Sequence, residues 1–252
     1  MMKTIIITGG SGKVGMQLVN HFLKNDFIVI TTTRNRNKFL KNEEFKFANE
    51  YIKNLKVIEV DFNSPNAIET IGTYLVQHKL APQSVIHNAR STDFLKIEDD
   101  NTVKNENFMG ELYLDVVFPY QLTSYLNKEI SGLENVIFIS SIYGIVAPTP
   151  ALYENFKKSS PINYGVSKAA QIHLTKELAV RLAPKIRVNC VSFGGIKGRV
   201  DEKFLHRYQA LNPQGKMLEE DDVIGPIEFL VSDKSKNMTG QNIIVDGGWT
   251  IW

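Results

Sequence analysis

The chain has 252 residues, of which 43% are hydrophobic and 22% charged, a composition typical of a globular protein with a full hydrophobic core. Its net charge of +2 favours neither a nucleic acid nor an anionic membrane as partner. One cysteine, Cys190, excludes an internal disulfide and a cysteine-based metal cluster, so no metal site is expected. No apolar run approaches the roughly 20 residues that cross a bilayer, and the opening MMKTIIITGG is unlike a signal peptide, so we expect a cytoplasmic protein.

Alternating strand and helix patterns run along the chain. Runs rich in Ile and Val predict strands at 4–8, 28–32, 56–60, 84–87, 136–140, 187–191 and 242–245. Helical spacing between them predicts helices that include 14–24, 112–126 and 164–182. Strands with continuous apolar runs are typical of a parallel sheet buried on both faces. The sequence therefore predicts an α/β fold, a doubly wound parallel sheet (Rossmann fold), in one domain over residues 1–252.

A glycine-rich segment, TGGSGKVG, follows the first predicted strand and opens the first predicted helix. In this position Gly9 permits a tight turn, Gly12 lets the backbone approach a pyrophosphate, and Gly15 lets the helix pack closely against the strand. The N-terminus of the helix adds free N–H groups and a partial positive charge for phosphates. The segment therefore predicts a dinucleotide-binding turn.

The residues after the next strands indicate which dinucleotide is bound. The second strand ends in TTTRNRNK, without an acidic residue for the adenosine ribose. Arg34, helped by Lys13 or Arg36, can bind a 2′-phosphate, which favours NADP over NAD. Asp61, at the end of the third strand, is placed to accept a hydrogen bond from an adenine amino group. Asn88, after the fourth strand, is placed beneath the cofactor.

Three residue types suited to proton transfer occur in the second half of the chain. Tyr164 and Lys168, in YGVSK, are four residues apart and therefore share one helical face. An unperturbed tyrosine has a pKa of about 10, and a nearby ammonium lowers that pKa by favouring the phenolate. Ser141, in ISSIYG, can hold a substrate oxygen against the Tyr164 hydroxyl.

These motifs, taken in order, resemble the short-chain dehydrogenase/reductase family over essentially the whole chain: TGGSGKVG, VDF, HNAR, ISSIYG, YGVSK, RVNCVSFGG and TGQNIIVDGG. The resemblance implies that Tyr164 is the general acid–base, that Ser141 positions the substrate carbonyl, and that Lys168 also binds the nicotinamide ribose. The full set of candidate cofactor residues is Gly9, Ser11, Gly12, Lys13, Val14, Gly15, Arg34, Asp61, Phe62, Asn88, Ala89, Tyr164, Lys168, Gly194 and Ile196. The candidate substrate contacts are Arg90, Ser141 and Tyr143, with substrate loops at 91–106, 145–163 and 197–216.

The chain departs from the family pattern at several positions. Asp115 stands where relatives have a catalytic asparagine that helps to hold a proton-relay water through Lys168, and we expect this aspartate to pair with Lys168. The usual NAG reads NAR, so Arg90 can guide an anionic substrate or join an internal ion pair with Asp93 or Asp115. A proline and a threonine of the family pattern are replaced by Phe193 and Gly198.

The sequence thus predicts an NADP-dependent oxidoreductase that interconverts a carbonyl and a hydroxyl. Segment 140–168 and the ending VDGGWTIW are similar to oxidoreductases associated with flagellin modification and bacterial surface-glycan synthesis, which implies a sugar-derived small-molecule substrate. One alternative is a sugar-nucleotide epimerase or dehydratase, which the glycine spacing favours and the chain length disfavours. Another is an NADP-binding regulator without catalysis. The resemblance also implies a homodimer or homotetramer, paired through the helices near 112–126 and 164–182 and the C-terminal strand.

Overall fold

A seven-stranded parallel sheet forms the centre of the protein, with its strands in the order β3-β2-β1-β4-β5-β6-β7. The computed structural model describes residues 2–42, 49–198 and 200–252. The strands are β1 (Thr4–Ile7), β2 (Ile28–Thr33), β3 (Leu55–Glu59), β4 (Ser84–His87), β5 (Asn135–Ser141), β6 (Arg187–Phe193) and β7 (Asn242–Val245).

Helices connect successive strands and cover both faces of the sheet. They are α1 (Lys13–Lys24), α2 (Arg36–Leu40), α3 (Asn49–Ile52), α4 (Ala67–Gln77), α5 (Asn105–Leu112), α6 (Phe118–Glu129), α7 (Phe156–Ser159), α8 (Ile162–Leu182), α9 (Glu202–Leu211) and α10 (Ile224–Val231). A π-helical turn, Tyr113–Val117, joins α5 to α6, so residues 105–129 form one continuous helical segment. Among the described residues, no helix is long and apolar enough to cross a membrane.

The strands are apolar at nearly every position because both faces of the sheet are buried. In β1, Ile5 and Ile7 pack on the face covered by α1 and α10, while Ile6 packs on the opposite face, with α4, α6 and α8. Each of these isoleucines is 0% exposed, and burial of such a side chain contributes about 1.5–3 kcal/mol. The prediction of a doubly wound parallel sheet is confirmed.

Most predicted elements differ from the structure by one or two residues at an end, and two of the differences bear on the site. The first strand ends at Ile7 rather than at residue 8, because Thr8 takes part in the turn that follows. The helix predicted at 112–126 begins instead at Asn105 and contains the π-helical turn.

The sheet is built outward in both directions from β1. The chain first adds β2 and β3 on one side of β1, then crosses to the other side and adds β4 to β7. The carboxyl ends of β1 and β4 therefore border the crevice where doubly wound folds bind ligands.

Candidate active site

The glycine turn between β1 and α1 is shaped by close contacts. Gly9 has a φ of +68°, and a Cβ built on it would lie 2.7 Å from the Ala89 Cα. A Cβ on Gly15 would lie 2.3 Å from the Gly9 carbonyl oxygen. Neither position therefore accepts a side chain without a shift of the backbone. Gly12 differs, since the nearest neighbour of a Cβ there, the Gly9 carbonyl oxygen, would be 3.5 Å away, an ordinary van der Waals contact.

The N-terminus of α1 meets the requirements of a phosphate site. Gly12 is its N-cap and provides no side-chain cap, and the first turn contains no acidic residue. The first N–H groups are thus available to an anion, and the helix dipole favours one. Ser11, Gly12 and Lys13 are exposed, while Val14 is partly buried against the core. These residues fit the pyrophosphate of a dinucleotide.

Thr8 and Asn88 fix the turn to the end of β4. The Thr8 hydroxyl accepts hydrogen bonds from the backbone N–H groups of Asn88 and Ala89, each at 3.0 Å. The Asn88 side-chain amide donates to the carbonyls of Thr8, at 2.8 Å, and Gly9, at 3.1 Å. Sequence reasoning missed Thr8, although a threonine at a strand end before two glycines was a readable signal. A role of Asn88 beneath the cofactor stays a prediction.

Two of the three cations predicted to bind a 2′-phosphate, Arg34 and Lys13, lie on the surface in ion pairs. Arg34 Nη1 is 2.8 Å from Asp93 Oδ2, and Lys13 Nζ is 2.6 Å from Glu220 Oε1. The Arg36 backbone N–H donates to a Glu59 carboxylate oxygen. Exposed pairs of this kind contribute only about 0–1 kcal/mol, so a phosphate can displace the carboxylate.

The other candidate cofactor residues serve the local structure. Asp61 is exposed and accepts a hydrogen bond from the Asn63 backbone N–H at 3.0 Å. The Phe62 ring is buried and stacks on Phe118, with 3.8 Å between ring centroids. After β6, a Cβ on Gly194 would lie 2.9 Å from the Asp246 Cα, and Ile196 forms a parallel bridge with Leu218. Their cofactor contacts stay predictions.

The end of β5 is held directly against α8. Ser141, the last residue of β5, is buried, and its hydroxyl accepts a hydrogen bond from the Tyr143 backbone N–H. The Ser140 hydroxyl donates to the Lys168 carbonyl at 3.1 Å. A Cβ on Gly144 would lie 2.7 Å from the Lys168 carbonyl carbon. Residues on both sides of Ser141 thus contact α8 at Lys168, and the role of Ser141 at the substrate oxygen stays a prediction.

Tyr164 and Lys168 are one helical turn apart at the start of α8. The Lys168 Nζ is 5.9 Å from the centroid of the Tyr164 ring. The Arg90 guanidinium carbon is closer, 4.7 Å from the same centroid, in a cation–π arrangement. Two cations therefore lie near the predicted acid–base.

Lys168 is buried in a set of oxygen acceptors. Its Nζ donates to Asp115 Oδ1 at 2.9 Å, to the Ile139 carbonyl at 3.3 Å and to Gln171 Oε1 at 3.4 Å. Burial favours the neutral amine, but the Asp115 carboxylate and Tyr164 together outweigh this effect and hold the pKa of Lys168 above its ordinary value. Lys168 therefore stays an ammonium at neutral pH.

Asp115 lies in the π-helical turn and links this segment to α8. Its second oxygen accepts a hydrogen bond from the Ser167 hydroxyl at 2.7 Å, and its backbone carbonyl accepts one from the Gln171 side chain at 3.0 Å. The expected pairing of Asp115 with Lys168 is confirmed. Ser167 and Gln171 were missed by sequence reasoning, although both adjoin Lys168 on α8.

The suggestion that Arg90 pairs with Asp93 or Asp115 is wrong. Asp93 pairs instead with Arg34, and Asp115 with Lys168. Both carboxylates are thereby occupied, and the exposed Arg90 packs its guanidinium on the Tyr164 ring. It remains a candidate substrate contact.

The substrate loops meet around this site. The hydroxyls of Tyr143 and Tyr153 are 2.8 Å apart, and the Tyr143 ring lies perpendicular to Tyr164 at 6.5 Å between centroids. Burial raises the pKa of Tyr143, so it stays a phenol.

Lys158 connects two of the predicted substrate loops. Its Nζ, in loop 145–163, donates to two carbonyls of loop 91–106, those of Glu98, at 2.7 Å, and Asp99, at 2.8 Å. In loop 197–216, residue 199 lies outside the described residues.

Comparison with known proteins places the chain among oxidoreductases. The short-chain dehydrogenase family model described as enoyl-(acyl carrier protein) reductase matches residues 12–250. The post-translational flagellin modification protein A of Campylobacter coli is 30% identical, with 98% of each chain covered. An NADP-dependent mannitol dehydrogenase of Hypocrea jecorina is 27% identical, with 98% of this chain and 92% of the relative covered.

A solved structure extends this similarity to the fold. The crystal structure of a short chain dehydrogenase from Leptospira borgpetersenii with bound NAD+ has a TM-score of 0.84 and 30% identity, and the match covers 99% of this chain and 93% of that one. The seven-stranded parallel sheet with helices on both faces agrees with this match. The chain belongs to the short-chain dehydrogenase/reductase family of oxidoreductases.

Proposed function

We propose that the protein is an NADP-dependent enzyme that interconverts a carbonyl and a hydroxyl group, with Tyr164 as the acid–base. The observation that carries the proposal is the pairing of Tyr164 with Lys168 on one face of α8, directly against the end of β5 that carries Ser141. A tyrosine, an ammonium and a hydroxyl are thus brought together at the carboxyl end of the sheet.

Each of these side chains has a separate task. Tyr164 donates its hydroxyl proton to the substrate oxygen during reduction and accepts a proton during oxidation. Ser141 donates a hydrogen bond to that oxygen, and loss of such a donor costs about 3–4 kcal/mol in other enzymes. Lys168 stays protonated beside Asp115 and stabilises the Tyr164 phenolate. A bound nicotinamide supplies or accepts the hydride.

The cofactor preference depends on Arg34. The open N-terminus of α1 and the bare backbone at Gly12 suit the pyrophosphate of either NAD or NADP. Arg34 is exposed at the end of β2, and its partner Asp93 is also exposed, so a 2′-phosphate can replace that carboxylate at little cost. The mannitol dehydrogenase, whose name specifies NADP, supports this choice.

Arg90 points to a substrate with an anionic group, such as a phosphorylated or carboxylated sugar. Its guanidinium lies over the ring of Tyr164, next to where the reacting carbonyl must bind. Guanidinium groups bind carboxylate and phosphate in a bidentate manner. The flagellin modification and mannitol dehydrogenase relatives support a sugar-derived skeleton.

We also propose a homodimer or homotetramer. Apolar side chains are exposed on the helical segment 105–129 and on α8, including Met109 (64%) and Val180 (80%). Near the C-terminus Trp249 is buried against Tyr208, but Trp252 is 79% exposed. Exposed apolar patches on helices are typical of interfaces, and light scattering on the purified protein measures the number of subunits.

The Tyr164→Phe variant tests the proposed reaction. NADPH oxidation should be measured with 2,3-butanedione and a panel of keto-sugars, and NADPH binding by fluorescence. We expect turnover to fall roughly 10²- to 10⁴-fold while NADPH affinity changes little. Tyr120→Phe, at an exposed tyrosine of α6, is the matched control and should retain activity. Normal turnover by Tyr164→Phe would refute the assignment.

A further inference from the structure

Two glycines follow β6 directly, at the edge of the sheet where the proposed reaction takes place. In the register of β5 and β6, Ser141 pairs with Phe193, so Gly194 is the first residue beyond the strand end that neighbours Ser141. The proposed function puts the nicotinamide beside the carbonyl that Ser141 binds, and we therefore expect this backbone to border that end of the cofactor. Glycine has the greatest backbone freedom of all residues, so Gly194 and Gly195 need a restraint from outside the segment.

Tyr208, in α9, supplies that restraint. Its side chain is buried, and its hydroxyl oxygen accepts a hydrogen bond from the Gly195 backbone N–H at 2.8 Å. A Cβ on Gly194 would lie 3.0 Å from the Tyr208 hydroxyl oxygen, and a Cβ on Gly195 would lie 2.7 Å from Tyr208 Cε2. Burial raises the pKa of Tyr208, so it stays a phenol at neutral pH. The phenol therefore lies directly against both glycines.

Backbone partners hold the neighbouring polar groups of the two glycines. The Gly194 N–H donates to the Val245 carbonyl at 2.8 Å, and the Gly195 carbonyl accepts a hydrogen bond from the Leu218 N–H at 2.9 Å. The Gly195 N–H differs because its partner is the side chain of Tyr208. A substitution can therefore remove this hydrogen bond without altering the strands.

The Tyr208 ring is in turn supported by Trp249. The two rings are stacked, with 4.5 Å between their centroids and an interplanar angle of 19°, and Trp249 is buried. The segment that carries Trp249 is tied to the end of α9, since the Asn212 side-chain amide donates to the Asp246 carbonyl at 2.7 Å. A Cβ on Gly247 would lie 2.7 Å from Asn212 Oδ1. Tyr208 therefore has a closely packed support after β7.

We propose that Tyr208 is a positioning residue for the nicotinamide end of the cofactor, because it holds the backbone at Gly195 through the Gly195 N–H. The proposal rests on the function proposed above. Gly194 and Ile196, on either side of Gly195, are candidate cofactor residues, so a backbone that loosens at Gly195 loosens both of them. Arg34 and the glycine turn serve the other parts of the cofactor. Loss of the Tyr208 hydroxyl should therefore weaken the binding of the nicotinamide and spare that of the rest.

The Tyr208→Phe variant tests this role, since it keeps the ring and its stack on Trp249 and removes the hydroxyl. Calorimetry should compare NADPH with 2′-phospho-ADP-ribose, which lacks the nicotinamide. We expect the affinity for NADPH to fall about 3- to 10-fold and that for 2′-phospho-ADP-ribose to change by less than about twofold. NADH and ADP-ribose give the same comparison without the 2′-phosphate. With 2,3-butanedione, kcat should also fall, because the hydride donor is less well oriented.

A control variant and a direct probe of the hydrogen bond complete the test. Tyr74→Phe, at a partly buried tyrosine of α4, also removes a phenol hydroxyl and should bind both ligands as the unmodified protein does. Hydrogen exchange measured by mass spectrometry should show the Gly195 amide exchanging several-fold faster in Tyr208→Phe. Equal losses for NADPH and 2′-phospho-ADP-ribose, an unchanged NADPH affinity or an unchanged Gly195 exchange rate would each overturn the role of Tyr208.

A second variant covers the case in which Tyr208→Phe does not fold. Trp249→Phe reduces the ring that supports Tyr208 and keeps the Tyr208 hydroxyl, so it should show the same selective loss at about 2- to 3-fold, judged by the same criteria. Failure of the two proposals can be told apart. If the unmodified protein binds NADPH and Tyr164→Phe is inactive, the proposed function stands even where the role of Tyr208 is overturned. If the unmodified protein binds neither NADPH nor NADH, the function is removed and the role of Tyr208 with it.

Discussion

Replacement of Glu111 by glutamine should change how the stability of the protein depends on pH. In the unfolded chain this carboxyl has its ordinary pKa of 4.5, and in the folded protein burial and Asp115 raise the pKa to about 7. Between these two values the folded state binds the proton more tightly, so its stability falls as pH rises. A tenfold change in proton affinity corresponds to about 1.4 kcal/mol. The full difference is therefore about 3 kcal/mol, present below pH 4.5 and lost above about pH 7.

The assay compares the free energy of unfolding of the two proteins, measured by urea denaturation at matched pH. Glutamine has no proton to exchange, so the difference between the proteins isolates Glu111 from every other titrating group. We expect the unmodified protein to lose about 3 kcal/mol relative to Glu111→Gln between about pH 4 and about pH 8. Glu129→Gln, at an exposed glutamate of the helical segment 105–129 that carries Glu111, should show a constant difference. If the Glu111→Gln difference is also constant within about 0.5 kcal/mol, the carboxyl does not have a raised pKa and the reasoning fails.

Three further substitutions test the cofactor turn and the two exposed arginines. Arg34→Ala should weaken NADPH binding by about 1.5–3 kcal/mol with little effect on NADH, as measured by calorimetry; an equal loss for both cofactors would contradict a 2′-phosphate contact. Gly15→Ala places a Cβ 2.3 Å from the Gly9 carbonyl oxygen, so thermal unfolding should show a loss of about 1–3 kcal/mol and NADPH binding should weaken; an unchanged melting temperature would show that the turn can relax. Arg90→Met should raise KM roughly tenfold for a carboxylated or phosphorylated keto-sugar but not for 2,3-butanedione, and equal effects on both substrates would argue against an anion contact.

The sheet could be predicted from the sequence because its physical cause is local. A parallel strand covered by helices on both faces must be apolar at nearly every position, and Ile5, Ile6 and Ile7 show that pattern directly. The strands at 84–87 and 242–245 were predicted to the residue. The turn at residues 8–15 was also predictable, because a helix N-terminus that binds phosphate requires glycines at defined spacing.

The partners of individual side chains could not be predicted in the same way. Glu111 in an amphipathic helix normally faces solvent, and only the packing of α8 against the helical segment 105–129 buries it. The π-helical turn that holds Asp115 has no distinct spacing in the sequence. An ion pair with Asp93 or Asp115 was one of two alternatives for Arg90, the other being contact with an anionic substrate, but both carboxylates are paired with other cations in the folded chain. Which carboxylate pairs with which cation depends on the distances between them in the folded protein, and the sequence does not give those distances.

Two departures from the family pattern, Asp115 and Arg90, place charged groups near Tyr164. The Asp115 carboxylate pairs with Lys168 Nζ at 2.9 Å. Arg90 places a second cation 4.7 Å from the Tyr164 ring centroid. Glu111 then adds a carboxyl whose charge varies with pH. Asp115, Lys168 and Arg90 all act on Glu111, so the net charge of this cluster depends on whether Glu111 holds its proton.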